Sequence, residues 1–88
     1  MTTDKRYLHT DQFAGTLKGV AMHALNRWQM HRGIASRTTG EEHAWHDGQA
    51  RAHASTVHLI TGRMLPPNVH GDEAYRAAGL AADVIDAM

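Results

Sequence analysis

Cysteine is absent from this 88-residue chain, so neither disulfides nor thiolate-held metal clusters can supplement its core. Large apolar residues are scarce as well. Leucine, isoleucine, valine and phenylalanine number 6, 3, 4 and 1, while alanine alone contributes 14. Such scarcity signals disorder when it accompanies a high net charge; here Lys+Arg and Asp+Glu cancel at 9 each. A folded domain with a thin core is the expectation. No run approaches the roughly 18–20 apolar residues that a membrane span requires. The stretch MTTDKRYLHTDQF has charge but no apolar segment of the secretory kind, which makes the cytoplasm the expected address. Nothing alternates with period two for long enough to argue a strand. Walker-type loops, G-x-G-x-x-G and G-x-S-x-G are all missing, and Ser36 and Ser55 have no activating partner at helical spacing.

What is present reads as helix, and as one domain over residues 1–88. After a polar arm at 1–9, the first helix is expected over about 11–32, capped by Thr10 or Asp11 and ended by Gly33. Its apolar stripe is Phe13, Leu17, Val20, Ala24 and Trp28, broadened by Ala14, Ala21 and Leu25. Gly15 and Gly19 lie a turn apart on another side, where a second helix could approach closely. Residues 33–40 are rich in turn formers and long enough to fold two helices back on each other. The second helix spans about 41–62. Thr39 and Glu42 have capping-box spacing, and Gly62 offers a left-handed stop. His43, His46, Ala50, His53, Val57, Ile60 and Met64 recur at alternating steps of three and four and share a face. Pro66 and Pro67 forbid continuation. A third helix follows over about 71–87, with Asp72 and Glu73 in its first turn and Ala74, Ala78, Ala81 and Ile85 inward.

The architecture implied is all-α: three helices built on an antiparallel helical hairpin. The expected core or interface comprises Phe13, Leu17, Val20, Trp28, Ala50, His53, Val57, Ile60 and Ile85. A chain of this size buries only about 60% of its unfolded surface, so homodimerisation is the simplest route to more buried area. A charge split points the same way. Residues 1–40 carry a balance of +4 and residues 41–88 one of −4, which suits complementary faces. A small non-catalytic module that binds itself and an unidentified protein partner is the expected function.

Eight histidines supply the second reading. His43 and His46, three apart on a helix, can present both rings to one ion, and imidazole with a third ligand suits zinc or another first-row metal. Without that third ligand no cofactor is expected. His23 together with His46-Asp47 resembles the separated His and His-Asp pair of HD-domain phosphohydrolases. That resemblance implies a metal-dependent hydrolase with a further aspartate ligand, for which Asp83 or Asp86 would have to serve. The chain departs from the family by having EEHAW before the pair and too few helices. Arg27, Arg32 and Arg37, beside Trp28, supply a third reading, a basic nucleic-acid surface.

Overall fold

The computed structural model describes residues 15–66 and 72–88. Within them the chain forms three helices, α1 (Leu17–Ala35), α2 (Gly40–Thr61) and α3 (Asp72–Asp86), and no strand. The arm at 1–9, Phe13 and Gly71 lie outside the described residues.

The first helix starts later and ends later than its sequence suggests. Gly15 adopts a left-handed φ of 80°, and the Thr16 hydroxyl accepts a hydrogen bond from Gly19 N at 3.0 Å. A threonine in extended geometry that reaches the third helical N–H is a strong N-cap, so α1 begins at Leu17 rather than near residue 11. At the other end Gly33 lies inside the helix, its φ not positive. The carbonyls exposed beyond it are satisfied locally. Ser36 Oγ donates to Gly33 O, Thr38 Oγ1 donates to Ile34 O, and the His43 ring meets Ala35 O at 2.7 Å. With its terminal acceptors occupied, the helix has no need to stop at the glycine.

The second helix stops where a glycine does take the left-handed conformation: Gly62 has φ 74° and donates to His58 O. Its start differs from the capping-box expectation. Thr39 is the N-cap residue, but its hydroxyl makes no cap bond, and Gly40 enters the helix with φ 66°. Glu41 and Glu42 remain in the first turn, favourably placed for the helix dipole, as do Asp72 and Glu73 in α3.

One core joins all three helices, through Ala21, Met22, Ala24, Leu25 and Trp28 of α1, Ala50 and Val57 of α2, Leu65 after α2, and Ala74, Ala81 and Ile85 of α3. Trp28, only 1% exposed, is the largest side chain in it. The buried side of α1 therefore differs from the expected stripe: Ala24 and Trp28 belong to it, but Leu17 and Val20 are exposed and Met22 is buried instead. Small side chains at 21 and 24 occupy the helix contact, where they permit close approach. Ile60 is partly buried against the core, whereas Met64, beyond the end of α2, is exposed.

Candidate functional site

The feature with most chemistry is a row of imidazoles where α1 meets α2. His23 and His31 lie eight residues apart on α1, and His46 and His53 seven apart on α2, close to two turns in each case. The packing interleaves them. Ring centroids are 6.3 Å apart for His23 and His53, 5.8 Å for the stacked His31 and His53, and 5.1 Å for His31 and His46. Trp45 stands edge-on to both His31 and His46. His31 is 7% exposed, His46 and His53 are half-buried, and His23 faces solvent.

The closest contact is His31 Nδ1 to His46 Nδ1 at 2.9 Å. A hydrogen bond between two imidazole nitrogens requires one to carry a proton and the other to be bare. The pair in this geometry therefore cannot hold a proton on both facing nitrogens. Burial lowers the pKa of His31 first, and the positive charges of His46, His53 and Arg27 lower it further. Burial likewise lowers that of His53, followed by His23 and Arg27. The neighbourhood disfavours imidazolium.

His43 and His46, paired in the sequence reading as metal ligands, have their Nδ1 atoms on different partners. The one on His43 must be protonated, because a carbonyl only accepts, and it donates to Ala35 O at the end of α1; the one on His46 meets His31. Asp47 is turned away to Arg51 Nε at 2.9 Å, and Asp83 and Asp86 are exposed on α3. Among the described residues no three histidines or carboxylates converge on a point that could hold a metal ion. The constellation implied by the phosphohydrolase resemblance is accordingly not assembled.

The three arginines do not form one stripe. Arg27 is exposed with its guanidinium beside Met30 Sδ, Arg32 is half-buried with its guanidinium 5.2 Å from the Trp28 ring centre, and Arg37 is exposed at the α1–α2 connection. Arg32 over an indole is a cation–π contact, an internal use of its charge.

Sequence reasoning missed His31. Its signal is positional, since it lies one helical step beyond Trp28 on the same side.

A second feature lies on the outer side of α3. Asp72, Tyr75, Arg76, Gly79, Leu80 and Asp83 line a shallow open groove. Tyr75 is 81% exposed, Leu80 is also exposed, and a Cβ built on Gly79 meets nothing within 4 Å. This strip is apolar at its centre and mostly acidic at its rim.

No helix among the described residues is long and apolar enough to cross a membrane. No protein-family model, curated protein or solved structure matches the chain.

Proposed function

We propose that this protein is a small, non-catalytic interaction module that acts as a homodimer and presents the assembled surface to a further protein partner. Its first two helices form an antiparallel hairpin, a reading supported by the ring contacts that bring 31 to 46 and 23 to 53. The observation that carries the proposal is an imbalance between inside and outside. Among the described residues, the core cluster holds, beyond alanine, Met22, Leu25, Trp28, Val57, Leu65 and Ile85. Eight large apolar side chains among the described residues are exposed: Leu17, Val20, Trp45, Leu59, Met64, Tyr75, Leu80 and Met88. Single exposed apolar residues are ordinary, but Tyr75 and Leu80 lie together along one groove of α3, which supports a surface that is covered in use.

The occupant argued for the α3 strip is a second copy of the chain. Its rim carries Asp72 and Asp83 against Arg76, a net negative charge that an exposed arginine of another copy, Arg27 or Arg37, would complement. A dimer also supplies the buried area that a chain of this length lacks. Sedimentation equilibrium tests the reading. A dimer at low micromolar concentration that Leu80→Glu converts to a folded monomer supports it. A monomer at every concentration overturns it.

A further inference from the structure

We propose that the His31–His46 contact is a proton-dependent clasp, which holds α1 against α2 near neutral pH and opens when both rings take up a proton. First, the two Nδ1 atoms lie 2.9 Å apart, a separation that needs a single proton between them. One added proton leaves a single imidazolium that can still donate to the neutral ring, but once each ring has taken up a proton both Nδ1 atoms are donors and two like charges face each other, so the contact must lengthen. Second, His31 has little room to turn its charge toward water. It is buried, stacked on His53 and flanked by Trp45. Third, the charges around it do not compensate. On α1 the neighbours are Arg27, one turn before His31, together with His23 and Arg32. On α2 they are His46 and His53; Asp47 is engaged by Arg51, and Glu42, one turn before His46, is exposed to solvent. The charged residues of α3, namely Asp72, Glu73, Arg76, Asp83 and Asp86, are all exposed. Cations and imidazoles thus face His31, with no carboxylate turned to it from either helix of the contact.

In the unfolded chain each ring titrates near its ordinary value of about 6.5. The lowered values of His31 and His53 mean that the folded form binds fewer protons below that point. Folded-state stability is therefore at its maximum above about pH 6.5 and declines as pH falls from there toward the folded values. Opening at this contact frees the end of the molecule that carries Trp45 and the α1–α2 connection. The inference does not depend on dimerisation.

The experiment is a thermal melt of the full chain between about pH 7.5 and pH 5, on wild type and on His46→Asn. Asparagine places an amide near the Nδ1 position, where it can accept from His31 Nδ1–H or donate to its bare form, without itself taking a proton. The wild-type melting temperature is expected to fall by roughly 5 °C or more across this window, and the fall to be smaller in His46→Asn, which keeps the burial of His31 and the contribution of His53. Equal acid sensitivity in the two proteins overturns the proposal. If His46→Asn does not fold near neutral pH, the imidazole C–H resonances of wild type decide instead. Coupled titration of His31 and His46, with the second proton taken up only as folded signals disappear, supports the clasp. Two independent, single-site titrations in the folded protein contradict it.

Discussion

The contact between α1 and α2 and the attachment of α3 are built from different materials. Of the 22 residues of α2 only Ala50 and Val57 are buried, and much of the bulk between α2 and α1 is imidazole. The third helix buries Ala74, Ala81 and Ile85, with Ala77, Ala78 and Ala82 packed beside them, and no titratable group. Histidine rings fill space as apolar groups do, but only while they are neutral. The first contact is therefore conditional on pH, and the second rests on apolar burial with one exposed hydrogen bond, Lys18 Nζ to Asp86 O.

That contrast can be broken most directly at Trp28, the largest side chain in the core that joins all three helices. Trp28→Ala is expected to cost about 3–5 kcal/mol, a large part of the roughly 5–15 kcal/mol that holds a typical domain. Circular dichroism should show a chain largely unfolded at room temperature. Next in size is Ile85→Ala, at about 2–5 kcal/mol. Because it acts on α3, its cost in chemical denaturation should be the same at about pH 7.5 and pH 5.5, where the imidazoles change state. A pH-dependent cost would show that the two contacts are not separable.

Smaller effects refine the picture. His43→Ala removes the hydrogen bond to Ala35 O at the end of α1 and should cost about 0.5–1.5 kcal/mol. His43→Asn, which can still donate, should recover part of it. Smallest is Leu59→Ser. With Leu59 87% exposed, a change within about 0.5 kcal/mol in the isolated chain is expected. A loss several times larger, dependent on protein concentration, would place Leu59 in the dimer contact.

Much of the fold is legible in the sequence, and the residues where it is not share a cause. Gly62 reads correctly as a stop because it ends a periodic segment and takes the left-handed conformation, with its N–H donating to His58 O. Gly33 misleads because its competitors are distant or unremarkable in sequence: a serine, a threonine and a histidine on the next helix occupy the terminal acceptors. Thr16 caps α1 because its hydroxyl reaches Gly19 N while Gly15, directly before it, takes a left-handed φ; Thr10 and Asp11 lie outside the described residues. At the candidate site, the face carrying His46, Ala50, His53 and Val57 is visible from spacing alone. Its partner residues are not, since the choice of His31 and His23 rather than Arg27 depends on how α1 is rotated about its axis. The expected stripe includes the buried Ala24 and Trp28, broadened by Ala21 and Leu25, but its larger members Leu17 and Val20 are exposed, so α1 is turned from the rotation that they suggest.

The claim on which the functional account depends is that copies of this chain meet through the outer side of α3. An amide-correlation NMR dilution series near neutral pH tests it residue by residue. The account predicts concentration-dependent shifts centred on Tyr75, Gly79 and Leu80, with a matching set among the exposed residues around Arg27 and Arg37. Spectra of a folded chain that do not change with concentration would contradict it.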